Sequence, residues 1–358
     1  MKIGGNDVLK TLQLEGIEKL NEKFMDEAQL RLDSLTKPIG SLGKLEEVVK
    51  RIVGITGEMY PKIDSKTIII MCADNGVVEE GVSSCPKSVT SSVTRNFTKG
   101  ITAVNVLSGC AKANIAVVDI GVDDDLNCEG IINRKIRRGT ANIAKGPAME
   151  RDEAIRAIEA GIDIVKDLKD KGVNLLGTGE MGVGNTTTSS AVSSVLMGVD
   201  VGLMVGRGAG LNDEGLENKI KVIMKAIEIN RPDRKDPIDV LVKVGGLDIA
   251  GLVGCYIGAA RYRIPILIDG FISATAALCA VALKPEIRNF IFPSHGSAEP
   301  GSKKVMEALG MEPFLNLEMR VGEGTGAAIA FQLIDCAFAA YTKMGTFGDA
   351  QIEQYIPL

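Results

Sequence analysis

The sequence predicts an α/β fold: a Rossmann-like parallel sheet flanked by helices, with a small helical domain built from the N- and C-terminal segments. Three observations predict it. From residue 67 onward, short β-branched runs alternate with longer helix-periodic stretches, as in βα units around a parallel sheet. Each run is followed by a turn rich in glycine and polar residues. The two ends of the chain, by contrast, carry helical periodicity and no strand signal.

In chain order, residues 16–58 are charged and helix-periodic, with Leu20, Phe24 and Leu30, then Leu45, Val48, Val49 and Ile52, as inward faces. The turn Lys37-Pro38-Ile39-Gly40-Ser41-Leu42-Gly43 divides them into two helices. Five apolar runs read as strands buried on both faces: 67–71, 115–118, 173–176, 264–268 and 289–292. Helices are expected at 150–171, 186–199, 213–229, 247–261, 272–283, 301–310 and 326–343. Residues 1–65 joined by 330–358 are expected to form the helical domain, and 66–329 the α/β domain.

The turns after the runs carry the unusual chemistry: Ala73-Asp74-Asn75-Gly76, Asp119-Ile120-Gly121, the segment from Gly177, Asp269-Gly270-Phe271 and Ser294-His295-Gly296-Ser297. Ligands of open α/β sheets bind outside the carboxyl ends of the strands, so these turns are expected to converge on one site.

Composition narrows the partners. The 358 residues hold 41 basic and 46 acidic side chains, interspersed, for a net charge of −5. That is no footprint for nucleic acid or a membrane surface, and neither is expected as a partner. Seven cysteines, an odd number with no CxxC pair and mostly inside apolar runs, suit buried thiols in a reducing compartment. The first residues lack an apolar signal core, and no uncharged apolar stretch approaches the roughly 18 residues of a spanning helix. The expected location is cytoplasmic.

Gly177-Thr178-Gly179-Glu180-Met181-Gly182-Val183-Gly184-Asn185-Thr186-Thr187 reads as a strand-to-helix turn whose amides suit a phosphate monoester, or simply as a tight turn. It is not a Walker loop, and Glu180 would crowd a pyrophosphate. A second loop, Val205-Gly206-Arg207-Gly208-Ala209-Gly210, precedes a helix carrying Lys219, and reads either as a wall on the same anion or as a surface loop. The lone histidine, His295, cannot build a zinc site of the usual ligand count, and a structural role is the plainer reading. Arg320-Val321-Gly322-Glu323-Gly324-Thr325-Gly326 places a carboxylate between glycines before an apolar helix. Confinement would raise its pKa toward the range of a general base, while complementing the positive helix end is an equal reading.

Taken together these segments resemble the nicotinate-nucleotide:dimethylbenzimidazole phosphoribosyltransferase family of cobamide nucleotide-loop assembly, over nearly the whole chain. The resemblance rests on Lys37-Pro38-Ile39-Gly40-Ser41-Leu42-Gly43-Lys44-Leu45-Glu46, Ala73-Asp74-Asn75-Gly76-Val77, the Gly179-Glu180-Met181-Gly182 turn, Lys243-Val244-Gly245-Gly246-Leu247-Asp248, Leu267-Ile268-Asp269-Gly270-Phe271, and Ser294-His295 through Glu299 leading to Gly322-Glu323-Gly324. It implies a pentosyltransferase that moves the 5-phosphoribosyl group of nicotinate mononucleotide to 5,6-dimethylbenzimidazole or a related base, inverting the anomer from β to α.

The resemblance further implies Glu323 as catalytic base, assisted by Glu180. Gly182, Gly208 and Ser297 match phosphate-contacting positions, Lys219, Asp248 and Asp269 match polar positions around the site, and Met181 is counted with the substrate-binding residues. Cys85 and Val93 stand where some members carry serine and glutamine in the base pocket, which is expected to broaden acceptor choice. The leaving pyridinium is already cationic and no pyrophosphate departs, so neither a metal nor a cofactor is expected. A homodimer is implied, and the polar first 30 residues are compatible with an arm reaching the partner's site. The competing classes are a nucleotide-dependent oxidoreductase, whose GxGxxG with a following acidic residue is missing, and a non-catalytic nucleotide or base binder on the same fold.

Overall fold

The computed structural model describes Leu12 and residues 14–354. Of the first 30 residues, expected to be compatible with an exchanged arm, residues 1–11 and 13 lie outside the described residues.

Six parallel strands form the sheet: β1 (Lys66–Ala73), β2 (Ala113–Gly121), β3 (Ile131–Asn133), β4 (Leu175–Met181), β5 (Ile266–Leu267) and β6 (Ile291–Phe292). Their spatial order is β3-β2-β1-β4-β5-β6. The chain walks outward from β1, then crosses back to start β4 on the other side of it. That reversal opens a crevice between the carboxyl ends of β1 and β4, the place where such sheets bind ligands. Every position of β1 is buried, as its Ile68-Ile69-Ile70-Met71 run requires of a central strand covered on both faces.

Thirteen helices surround the sheet: α1 (Glu22–Ser34), α2 (Lys44–Thr56), α3 (Ser88–Thr98), α4 (Ala103–Cys110), α5 (Arg151–Asp170), α6 (Asn185–Met197), α7 (Asp213–Asn230), α8 (Pro237–Val244), α9 (Leu247–Arg261), α10 (Phe271–Leu283), α11 (Pro300–Ala308), α12 (Thr325–Lys343) and the short α13 (Phe347–Ala350), counted among the described residues. Four of them, α3, α4, α8 and the short α13, have no counterpart in the sequence-based expectation. The Ser- and Thr-rich Ser88-Val89-Thr90-Ser91-Ser92 start of α3 has weak intrinsic helicity, and burial of Thr90, Thr94 and Phe97 holds it.

Two expectations about strands change. Edge strand β3 spans only three residues, too short to show a period of two. Gly177, Thr178 and Gly179 belong to strand β4 rather than to a turn, and the true turn begins at Gly182. The glycines serve close approach: a Cβ on Gly177 would lie 2.9 Å from the Ala327 Cβ, and one on Gly179 would lie 2.3 Å from the Glu323 carbonyl oxygen.

Helices α1, α2 and α12 pack together at the end of the chain's two termini, and Leu35 bridges Thr346. Arg51 of α2 pins this layer to the sheet, donating to the carbonyls of Asn289 (3.0 Å) and Ile291 (2.8 Å) and lying 4.2 Å from the Phe292 ring. Arg263 does the same from α9's end, to Ile55 O (2.7 Å) and Gly54 O (2.9 Å). Helix α12 runs unbroken across residue 330. Leu30 points away, 70% exposed, because the buried positions of α1 are Ala28 and Leu32, and the residue midway between them faces the opposite side of a helix.

The cysteines divide otherwise than their apolar neighbours suggest. Cys72, Cys255 and Cys279 are buried, but Cys110 and Cys336 are exposed and Cys85 and Cys128 half-buried. Cys110 ends an amphipathic helix and Cys336 lies on the outer side of α12, so local apolarity misplaces both. Among the described residues α12 alone is long and apolar enough to cross a membrane, and more than half of it is buried inside the protein.

Candidate active site

A cavity of about 210 Å³ opens at the carboxyl ends of the strands. The segment after β1 contributes Val82, Ser83, Cys85 and Val89; the end of β4 and the turn into α6 contribute Glu180 through Thr186. Phe271 follows β5, His295, Ser297 and Glu299 follow β6, and Gly208 and Glu323 close the remaining sides. Of the expected site residues, Glu180, Met181, Gly182, Cys85, Gly208, Ser297 and Glu323 therefore line one cavity. Lys219, Asp248, Asp269 and Val93 do not; they stand behind its walls.

Glu323 sits in an unusual backbone. Gly322, Glu323 and Gly324 are all left-handed, with φ of 79°, 63° and 99°. Glycine takes such angles freely, but a glutamate takes them at a cost, so the surroundings must enforce them. They do so from both sides. The Glu323 carbonyl rests on the bare backbone of Gly179, and the amide of Gly324 donates to Asp269 Oδ2 at 3.0 Å. The side chain is half-buried, and its Oε2 has no hydrogen-bond partner. Burial pushes its pKa above the usual carboxylate range, Asp269 adds to that, and the amide of Val104 in the first turn of α4 works against it.

Glu180 is buried and its pKa is pushed up to about 8, first by desolvation and then by Asp248 and Asp269; the Asn185 amide, which donates to its Oε2, opposes this. Asp248 is fully buried in the same cluster and raised to about 6, chiefly by burial. Since Glu180 binds its proton more tightly in the folded chain, its contribution to stability is complete below its ordinary value of 4.5 and is lost as pH rises through about 8. Glu180→Gln keeps an acceptor for Asn185 and removes the ionisation. It is expected to be more stable than the parent by about 1–3 kcal/mol at pH 8, with the gap closing toward pH 5. Thermal unfolding of both chains across that range checks it, and a gap independent of pH counts against it.

Helix α6 begins just after left-handed Gly184 (φ 89°). In the Gly182–Thr186 turn that lines the cavity, the Val183 and Asn185 amides donate to Thr90 Oγ1 (3.0 Å) and Gly182 O (3.0 Å), which leaves those of Gly184 and Thr186 for an anion. Lys219 joins this turn to the second glycine loop: its Nζ donates to Thr186 Oγ1 (2.8 Å) and to Gly206 O (3.1 Å). Burial lowers the Lys219 pKa to about 8, with Glu299 pulling it back up. Arg320 Nη1 reaches Gly208 O at 3.2 Å, so the same loop is tied to the Glu323 segment. The wall thus offers helix amides, a hydroxyl at Ser297 and buried positive charge, a set suited to a phosphate monoester.

Asp269 accepts three backbone amides at the start of α12 and has no face on the cavity. Val93 packs against the core one helical turn beyond Val89, which takes the place on the wall. His295, read as structural from sequence, is 3% exposed and does reach the wall. Phe271, from one of the strand-end turns expected to converge, also lines the cavity, and so does Glu299, which the sequence reading did not place among the site residues.

A family model described as Phosphoribosyltransferase (DBI_PRT) matches residues 17–352. A nicotinate-nucleotide–dimethylbenzimidazole phosphoribosyltransferase of Ruminiclostridium cellulolyticum is 70% identical over 345 residues, covering 96% of this chain and 98% of its own. One of the same name from Acetivibrio thermocellus is 69% identical over 344 residues, with 96% and 98% coverage. The crystal structure of CobT from Thermus thermophilus superposes with a TM-score of 0.89 at 37% identity, over 93% of this chain and 100% of that one. With the cavity at the sheet's reversal point and a whole-length match to these relatives, the chain belongs to the nicotinate-nucleotide–dimethylbenzimidazole phosphoribosyltransferase family.

Proposed function

We propose that the chain transfers the 5-phosphoribosyl group of nicotinate mononucleotide to 5,6-dimethylbenzimidazole, giving α-ribazole 5′-phosphate and nicotinate for the nucleotide loop of cobalamin. The observation that carries the chemistry is Glu323, a carboxylate of raised pKa on a cavity that the Gly182–Thr186 turn into α6 also lines. As the bond from ribose C1′ to the pyridinium nitrogen breaks, its electron pair returns to the ring and neutralises it, so no acid is needed. The azole attacks C1′ through one ring nitrogen from the opposite face, which accounts for inversion. Glu323 accepts the proton from the other nitrogen.

Gly182, Gly208 and Ser297 take the 5′-phosphate, while Lys219 braces the two loops that carry it and lends charge from behind. Glu180 and Met181 lie at the β4 end, where the ribose would sit; Glu180, protonated at neutral pH, is suited to donate a hydrogen bond there. Asp248 backs Glu180. Residues 1–65 and 330–358, of which the described part supplies α1, α2, most of α12 and α13, act as the small domain, and the enzyme works in the cytoplasm as a homodimer.

Incubating the protein with nicotinate mononucleotide and 5,6-dimethylbenzimidazole, and resolving products by chromatography, tests the assignment. Equimolar nicotinate and α-ribosyl product are expected; nicotinate without the ribosylated base would reduce the activity to hydrolysis.

The acceptor side is walled by Val82, Val89 and Cys85, with Ser83 the one hydroxyl among them, and that hydroxyl already accepts the Cys85 amide at 3.1 Å. A base held by shape and one carboxylate is selected weakly, since a methylene in an apolar pocket is worth only about 1–3 kcal/mol. Presented with several benzimidazoles, a phenol and adenine together, the enzyme is expected to ribosylate more than one. Strict use of 5,6-dimethylbenzimidazole would refute the broad pocket.

A further inference from the structure

Asp269 follows β5, and the preceding Ile268 amide is fixed to Phe292 O at 2.8 Å. Its carboxylate is 2% exposed and spends both oxygens on the first turn of α12. Oδ2 accepts the amide of Gly324 (3.0 Å), and Oδ1 accepts those of Gly326 (2.7 Å) and Ala327 (3.3 Å). The Gly324 amide belongs to the peptide unit that begins at Glu323, so the first of these bonds fixes the ψ rotation of Glu323 itself.

The segment it holds is the left-handed run Gly322-Glu323-Gly324. Nothing intrinsic to a glutamate favours that conformation; without an external anchor the residue would relax to φ below zero and swing its side chain elsewhere. On the inner side the Gly179 backbone supplies contact but no hydrogen bond, and Thr325 Oγ1 closes the turn onto Gly322 O at 2.9 Å. Asp269 is the charged group that completes the clamp.

We infer that Asp269 is a positioning residue for the transfer, acting through the backbone of Glu323 rather than on the substrate. The inference rests on the reading of Glu323 as the base. It departs from a substrate-contacting role for Asp269, because a carboxylate with three amide partners and no face on the cavity has nothing left to offer a ligand.

Asp269→Asn tests this. The amide can accept at one end only, and its NH₂ at the other faces a backbone N–H, so the clamp loses one side. Misplacing a reacting group by about 1 Å costs on the order of 100-fold, and that is the loss of kcat expected per folded molecule, with nicotinate mononucleotide affinity changed by no more than about twofold. In a Glu323→Gln background the same change should lower kcat by no more than about twofold further, because the group it positions is already gone. Thermal unfolding in both backgrounds separates this from simple destabilisation, which would be equal in the two. If Asp269→Asn does not fold, Asp269→Glu, which keeps the charge and shifts the oxygens by one methylene, takes its place in the same cycle.

Losses that multiply in the double variant, or a raised KM with kcat intact, overturn the positioning role while leaving the base assignment standing. Unchanged turnover in Glu323→Gln alone overturns the base assignment, and the positioning role falls with it.

Discussion

Glu323→Gln is expected to lower kcat by about 100- to 10,000-fold while leaving nicotinate mononucleotide binding within about twofold. The amide matches the carboxylate in size, and the left-handed backbone, held by Asp269 and Gly179, does not depend on the charge. What is lost is a site for the azole proton. The pH profile carries a second signature. The base works ionised, so turnover falls as pH drops through its pKa; burial raises that pKa, placing the acidic limb above the ordinary carboxylate range. The residual activity of the variant should lack that limb. Release of nicotinate, followed with time across pH, reads both effects, and unchanged turnover would remove Glu323 from the chemistry.

Gly161→Ala is expected to destabilise the fold by about 3 kcal/mol or more. Helices α5 and α9 touch backbone to backbone: a Cβ on Gly161 would lie 2.1 Å from the Gly251 carbonyl oxygen and 2.9 Å from the Cys255 amide nitrogen, and one on Gly254 would lie 1.9 Å from Ile158 O. A side chain in such a place can change rotamer; a backbone carbonyl cannot, so the helices must separate. The matched control is Gly109→Ala in α4, where the added methyl meets nothing within 4 Å. There the helix gains propensity, for a stabilisation of about 0.5–1 kcal/mol. Urea unfolding of the pair checks both; a loss at Gly161 no larger than about 1 kcal/mol would mean the two helices adjust freely.

The local sequence carried much of the frame. The continuous apolar run of β1 fitted a strand buried on both faces, as it is, and the long periodic stretches behind α5, α7, α9 and α12 lie within one residue of their observed ends. The motifs that follow β4, β5 and β6 meet at the cavity, whereas Ala73-Asp74-Asn75-Gly76 and Asp119-Ile120-Gly121, expected at the same site, do not line it. Where the reading departed from the structure, the missing information was long-range. Strand β3 exists because β2 offers it an edge, and α3 is helical although serines and threonines open it, because its inner side is buried. Glycines 177 and 179 read as a turn locally, but they pair with β1 as strand and leave room for α12 and the Glu323-Gly324 backbone to lie on them.

The same division runs through the site. The order of residues is enough to establish an α/β phosphoribosyltransferase with a Gly-flanked carboxylate at residue 323, because strand periodicity and ordered motifs are properties of neighbouring residues. Which polar residues face the cavity is a matter of three-dimensional packing. The fold set Glu180 and Glu323 on the wall, turned Asp269 toward backbone amides and Lys219 toward the Thr186 hydroxyl and the Gly206 carbonyl behind it, and brought His295 and Glu299 in. The physical reason is that a side chain's role depends on which groups from distant segments satisfy it. A carboxylate meeting three amides becomes a clamp, and one left without a partner in a half-buried loop keeps its affinity for a proton.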